Sequence, residues 1–198
     1  KLHILGYGIF YEAPTLKSAL GKVREMRGKR NDMLREALNA AGYEVTVEEL
    51  MAVNDGRFIG KPTFANVLMS KGYAKDETEV FDEIFSREEF ARIPKETLPS
   101  KEIIDVIHGA EGIAVLAHPM EQRRRGESFE EFKPRLLELL DTFVGYGIDG
   151  IECYHPSASE IQEDFLIAYA KEHNLVITRG TDFHGDGVQR DFSRYREV

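Results

Sequence analysis

Cysteine is nearly absent from this chain of 198 residues, which contains only Cys153. A single cysteine cannot form an internal disulfide, and such scarcity is typical of a reducing compartment. Long apolar runs are also lacking, since no stretch approaches the roughly 18 to 20 residues of a membrane-spanning helix. The opening residues, KLHILGYG, are typical of a strand rather than of a signal peptide. We therefore expect a cytoplasmic protein.

Basic residues are fewer than acidic residues in this chain. The chain has 26 lysines and arginines against 35 aspartates and glutamates, which gives a formal net charge of −9. This charge argues against a broad nucleic-acid surface, because such surfaces neutralise phosphates with lysine and arginine. It does not exclude a phosphate-bearing substrate, because a bound metal or a local group of cations can reverse the field inside a cleft. A chain of 198 residues is long enough for one hydrophobic core with an inserted segment.

Hydrophobic spacing in the first half predicts one strand followed by helices. The strand covers residues 2–10, and the predicted helices are 16–41, 46–53, 62–71 and 76–85. Gly42 is a typical C-cap for the first helix, and Thr46 with Glu49 forms a capping-box pattern before the second. Residues 13–95 are therefore predicted to be a helical block.

The second half alternates between strands and helices, which is typical of parallel βα units and of the α/β fold class. A helix is predicted to begin at Ser100. The predicted strands are 113–117, 150–154 and 175–178, and the predicted helices between them are 129–144 and 158–173.

Polar side chains follow these three strands. His118 comes directly after the first, His155 after the second, and Asp182 and His184 lie in the loop after the third. Because the carboxyl ends of parallel strands share one edge, these side chains are expected to meet there. Imidazole and carboxylate ligands suit Zn, Mn or Fe, and such a metal lowers the pKa of bound water toward about 7.

Each of these residues also has a purely structural interpretation. Asp182 beside glycines is equally typical of a turn or helix cap. His118 and His184, taken singly, are more often ordinary loop histidines, and only their shared edge favours ligation. Cys153 is expected to be a small buried side chain. The residues alone assign structural roles to three other histidines: His3, His108 and His173.

Four stretches resemble the PHP family, named for its polymerase and histidinol-phosphatase members: GIAVLAHP at 112–119, GIDGIECYHPS at 147–157, TDFHG at 181–185 and KPTFANVLMSKGYAKDETEVFDEIF at 61–85. They are most similar to the small bacterial PHP phosphoesterases that act on nucleoside bisphosphates or short RNA 5′ ends. The resemblance implies a distorted (β/α)₇ barrel with a metal centre at the carboxyl ends of its strands. Residues 1–12 and 96–198 would form the barrel portion, and residues 13–95 a helical insertion.

The resemblance also implies roles for individual residues. It makes metal ligands of four residues, including His3, which the residues alone assign to structure: His3, His118, Asp182 and His184. His155 resembles a pocket histidine near the substrate phosphate, where it would orient the phosphate or protonate the leaving oxygen. Lys61 and Arg179 are the other candidate substrate contacts. The implied cofactors are two or three divalent ions of Mn, Fe or Zn.

This chain departs from the family pattern in three places. The family's opening H-x-H motif and the ligands that follow it do not occur before His3. Lys61, Pro62 and Thr63 replace Arg-Pro-His, and Arg179 stands where glycine is usual. Either the chain is part of a full enzyme or it is a truncated product, and we favour the former. We expect it to be inactive alone, and a homodimer could cover its open barrel edges.

The predicted function is metal-dependent hydrolysis of a phosphate ester of a nucleotide or short oligonucleotide by a metal-activated water. Two alternatives stay open. The first is a non-catalytic, degenerate PHP domain with a binding or regulatory role. The second is a metal-dependent amidohydrolase, because similar ligands at the edge of a barrel also serve the hydrolysis of C–N bonds.

Overall fold

The computed structural model describes residues 2–54 and 59–183. The chain divides into two compact units, which we call unit 1 (Lys1–Ala19 with Leu98–Val198) and unit 2 (Leu20–Thr97). Each unit has its own cluster of buried apolar side chains. The assignment of a barrel portion to 1–12 and 96–198, with an insertion at 13–95, stays a prediction.

The described residues of unit 2 form helices joined by loops, and none of them forms a strand. Its helices are α1 (Pro14–Ala40, which begins in unit 1), α2 (Val47–Val53), α3 (Lys61–Ser70), α4 (Glu77–Glu79) and α5 (Glu88–Ala91). Its core consists mainly of Leu34, Leu38, Phe64, Leu68, Val80 and Phe90. The helices predicted at 16–41, 46–53 and 62–71 are thus observed, with ends shifted by at most two residues.

The sequence signals at the helix ends act as expected. Gly42 has a φ of +87° after α1, and the next residue, Tyr43, donates its backbone N–H to the carbonyl of Leu38 at 2.9 Å. Glycine tolerates this left-handed backbone, so the helix stops here. Thr46 and Glu49 form the predicted capping box of α2. The predicted helix 76–85 differs, because residues Val80–Ile84 form a π-helical turn after α4.

Unit 1 is built on a four-stranded sheet. The strands are β1 (Ile4–Tyr7), β2 (Ile113–Leu116), β3 (Gly150–Tyr154) and β4 (Val176–Arg179), in that spatial order. β2, β3 and β4 run parallel, whereas β1 pairs antiparallel with β2. Helix α6 (Ser100–His108) precedes β2. Helix α7 (Phe129–Gly145) connects β2 to β3, and helix α8 (Glu160–Glu172) connects β3 to β4.

Alternate residues of the strands form the core of unit 1. In β3, Ile151 and Cys153 belong to the buried cluster, together with Leu136 of α7 and Leu166 of α8. Because side chains alternate along a strand, the residue between them, Glu152, points to the opposite face of the sheet.

The observed architecture is a mixed α/β fold with three parallel strands, as the sequence predicts. Closure of the sheet into a (β/α)₇ barrel stays a prediction. Among the described helices, none is both long enough and apolar enough to cross a bilayer.

Candidate metal centre

The parallel strands deliver polar residues to one edge of the sheet. His118 follows β2, His155 follows β3, and Asp182 is the third residue after β4. Since these strands are parallel, their carboxyl ends lie on the same side, where sites of α/β proteins are usually built. The centre is therefore assembled from three separate loops.

His118 lies at the middle of this group and is only 4% exposed. Its Nε2 lies 3.1 Å from Nδ1 of His3, which precedes β1, and the two rings meet edge to face. His3 reaches this position because β1 is antiparallel, so the beginning of β1 lies beside the end of β2. The Ala117 N–H donates to the His3 carbonyl at 3.0 Å, which fixes this register.

His118, Glu121 and Asp182 form a group that could hold a metal ion. Each offers one ligand atom, and these atoms lie within 4.8 Å of one another. Glu121 belongs to a short 3₁₀ turn, Pro119–Gln122, that follows His118. Asp182 has a φ of +49°, an unusual backbone conformation for a residue other than glycine.

The chemistry of these donors fits a divalent cation. The buried Nδ1 of His118 has no hydrogen-bond partner among the described residues, although Glu121 Oε2 lies 3.2 Å away. A buried nitrogen without a hydrogen bond is costly, and a cation shared with a carboxylate would satisfy it. One imidazole with two carboxylates is a donor set suited to Mn, Fe or Zn.

His155 lies beside His118, with ring centroids 5.2 Å apart, and is 1% exposed. The Ser157 backbone N–H donates to Nδ1 of His155 at 3.2 Å, and Ser157 Oγ lies 2.7 Å from the same nitrogen. Because Nδ1 accepts, the neutral ring carries its proton on Nε2. His155 is thus arranged as a donor through Nε2.

Glu152 is a third carboxylate at this edge, and the sequence patterns do not predict it. It is 3% exposed, and its Oε2 accepts the His118 backbone N–H at 2.9 Å. Burial raises the pKa of Glu152, and the carboxylates of Asp182 and Glu121 add to this effect, whereas the contacts with His118 oppose it. The signal in the sequence is one acidic residue inside an otherwise apolar strand, because buried charges are rare.

Glu121 was missed for a different reason. It has no distinctive motif and stands three residues after His118. Only a helical turn brings residues at this spacing onto one side, and the sequence predicts a polar loop here rather than a turn.

The predicted substrate contacts lie in different units. Arg179 ends β4, at the same edge as Asp182, and its guanidinium lies 5.3 Å from the Tyr154 ring centroid. Lys61 begins α3 in unit 2, with Nζ 4.8 Å from the Phe85 ring centroid. Burial and the nearby Arg30 lower the pKa of Lys61. His184 lies outside the described residues, so its predicted ligand role stays a prediction.

The histidines assigned to structure have local partners. His108 Nε2 lies 2.7 Å from Asp149 Oδ2, and His173 stacks on Tyr169 with centroids 4.3 Å apart. His173 follows α8 and precedes β4, so it lies toward the amino end of the parallel strands, opposite the metal-centre edge.

No protein-family model matches the chain. The chain is 27% identical to the 5'-3' exoribonuclease Rnm of Escherichia coli (strain K12) over 184 residues, which is 93% of this chain and 60% of that protein. It is 28% identical to the 3',5'-nucleoside bisphosphate phosphatase of Chromobacterium violaceum over 187 residues, which is 94% of this chain and 63% of that protein. The chain thus spans less than two thirds of the length of these relatives.

One solved structure agrees with the sequence comparison. It comes from Bifidobacterium adolescentis and is described as a metal-dependent phosphoesterase. The two structures superpose with a TM-score of 0.70 at 27% identity, over 96% of this chain and 65% of that one. The chain is therefore similar, in both sequence and fold, to phosphoesterases.

Proposed function

We propose that this chain carries the metal centre of a PHP-type hydrolase, a metal-dependent phosphoesterase that acts on a nucleotide or a short oligonucleotide. The observation that carries the proposal is the meeting of His118, Glu121 and Asp182 at the carboxyl ends of parallel strands, with His3 against His118. The names of the relatives support the substrate class, since one is an exoribonuclease and another a nucleoside bisphosphate phosphatase. We also propose that the sheet belongs to a distorted (β/α)₇ barrel.

His3, His118, Asp182 and His184 are the proposed metal ligands, and the position of Glu121 adds it to them. A bound Mn, Fe or Zn ion would supply an activated water and a Lewis acid for the phosphoryl oxygen. The residues of the chain orient the reactants. The neutral ring of His155, with its proton on Nε2, donates a hydrogen bond to the phosphate. To protonate the leaving oxygen, His155 would have to be the imidazolium, which gives up its Nε2 proton and becomes neutral with a proton left on Nδ1.

Arg179 and Lys61 are the proposed phosphate contacts. Arg179 stands at the same edge as Asp182, and a guanidinium there can form two parallel hydrogen bonds to a phosphate.

Replacing Arg179 with glutamine should therefore raise KM for a nucleotide substrate while metal affinity stays unchanged. A loss of bound metal in this variant would instead place Arg179 in the structure of the centre.

The first test of the proposal is metal binding by the purified chain. We expect wild-type protein to bind Mn²⁺ or Zn²⁺ in competition with a chromophoric chelator. His118→Ala and Asp182→Asn should each weaken binding by about tenfold or more, because the first removes an imidazole donor and the second replaces a charged carboxylate with a neutral amide. His173→Ala is the matched control, a histidine of unit 1 at the opposite end of the strands. Equal affinity in wild-type protein, His118→Ala and Asp182→Asn would overturn the proposal.

The second test is hydrolysis, measured on the full-length gene product because the chain spans 60% of the Rnm ribonuclease. Nucleoside 3',5'-bisphosphates, short 5'-phosphorylated RNA and amide substrates are compared under the same metal conditions. We expect release of phosphate or nucleotides, with activity lost in His118→Ala and His155→Ala. Cleavage of amides alone, or metal binding without hydrolysis of any substrate, would contradict the phosphoesterase assignment.

A further inference from the structure

Glu152 is a buried carboxylate in the middle of β3. It is 3% exposed, and no lysine or arginine of the described residues forms an ion pair with it. Burying a carboxylate is costly unless its oxygens receive hydrogen bonds or it lies near a cation. The contacts of the Glu152 carboxylate therefore indicate why a charged residue is buried here.

The first contact joins Glu152 to His118. Oε2 of Glu152 accepts the His118 backbone N–H at 2.9 Å. The His118 backbone has φ 28° and ψ 59°, which is a strained region for any residue with a side chain. Such a conformation persists only where neighbouring groups hold it, and this hydrogen bond to a carboxylate is one of them.

The second contact joins Glu152 to the end of β4. A methyl group on Gly180 would overlap Oε1 of Glu152, so the carboxylate fills the space left by this glycine. Gly180 is fixed in turn, because its N–H donates to the Tyr154 carbonyl at 3.1 Å. One side chain in β3 thus contacts the segments that follow both neighbouring strands, at the proposed ligand His118 and at Gly180, two residues before Asp182.

We propose that Glu152 is a positioning residue, which holds the backbone of His118 in the orientation that directs its ring toward His3, Glu121 and Asp182. This inference rests on the metal centre proposed above and adds to it a residue outside the ligand set. Glu152 acts through His118, so its removal should weaken metal binding without removing a donor. Groups that orient metal ligands in this way typically contribute about 10- to 100-fold to affinity.

The test compares Zn²⁺ or Mn²⁺ affinity, by chelator competition, in wild-type protein, Glu152→Ala and Glu152→Gln. We expect about 10- to 100-fold weaker binding for Glu152→Ala. Glutamine keeps an oxygen that can accept the His118 N–H, so Glu152→Gln should lie between wild type and Glu152→Ala. Cys153→Ala, the neighbouring buried residue on the other face of β3, is the matched control and should keep wild-type affinity.

A second variant keeps the proposal testable if Glu152→Ala does not fold. Gly180→Ala leaves Glu152 in the sequence but places a methyl group where Oε1 lies, so it should also weaken metal binding. In the metal-free protein, the His118 amide should exchange its hydrogen faster in Glu152→Ala and Gly180→Ala than in Cys153→Ala.

The outcomes separate this inference from the proposed function. A wild-type chain that binds no metal would overturn the proposed function and, with it, the role of Glu152. Binding by wild-type protein that is equally tight in folded Glu152→Ala would overturn only the inference. An equal loss of affinity in Glu152→Ala and Cys153→Ala would also overturn it, because the effect would then reflect general destabilisation of β3.

Discussion

Cys153 is a single chemical probe inside unit 1. Its side chain is 0% exposed, and burial raises the pKa of its thiol to about 12. The thiolate is the form that attacks an alkylating reagent, so we expect native protein at pH 8 to react only as fast as β3 opens. Labelling with iodoacetamide followed by mass spectrometry measures this rate, with denatured protein as the control. Rapid, complete labelling of the native chain would contradict the buried position.

The same residue predicts how stability depends on pH. The thiol pKa rises from 9.0 in the unfolded chain to about 12 in the folded chain, chiefly through burial. Above pH 9 the unfolded thiol therefore loses its proton first, so the free energy of unfolding falls as pH increases, by up to about 1.4 kcal/mol per pH unit. Denaturant unfolding at pH 8 and 10 should show a smaller loss for Cys153→Ala than for wild type. An identical pH dependence of the two proteins would contradict the shift.

The order of residues and predicted strands in the sequence could predict part of the site. His118, His155 and Asp182 were expected at one edge because each follows a predicted parallel strand, and the structure places them there. Glu121 and Glu152 were not expected, since their roles depend on a 3₁₀ turn and on strand alternation that bring distant atoms together. The proximity of His3 to His118 depends on the antiparallel pairing of β1, which no local pattern determines.

At the scale of the element, α7 shows how a local signal stabilises a helix that packs on the sheet. Ser128 precedes α7, its Oγ accepts the Glu131 N–H at 3.3 Å, and the Glu131 carboxylate accepts the Ser128 N–H at 2.8 Å. Ser128→Ala should therefore lower the free energy of unfolding by about 1 kcal/mol. Thr142→Ala, an exposed change in the same helix, is the matched control in thermal unfolding. An equal effect of both substitutions would contradict a capping role for Ser128.

Most elements could be predicted from hydrophobic spacing, with ends within a few residues of those observed. The predicted helix 129–144 is observed as Phe129–Gly145, and the strand 150–154 is observed as Gly150–Tyr154. The predicted helix 76–85 is one exception, because residues Val80–Ile84 adopt a π-helical turn. Val80 and Ile84 are both buried in the core of unit 2, and hydrophobic spacing does not distinguish a π-helical turn from an α-helical one.

At the scale of the whole molecule, two separate cores predict two local responses to mutation. Leu68 is fully buried in unit 2, and Leu136 is fully buried in unit 1. Replacing either with alanine should cost about 2 to 5 kcal/mol, through lost burial and the cavity that remains. Hydrogen exchange with mass spectrometry should show the loss of protection mainly within the unit that carries the substitution. Equal losses in both units for each variant would indicate a single cooperative core.

The space beside Gly180 has a consequence for related proteins. Glu152 and Gly180 are complementary in shape, because the carboxylate lies where any larger residue would put its first carbon. A relative with alanine or serine at position 180 should therefore have a shorter residue at position 152. Substitutions at positions 152 and 180 should therefore occur together during evolution. A family alignment in which the two positions vary independently would argue against this coupling.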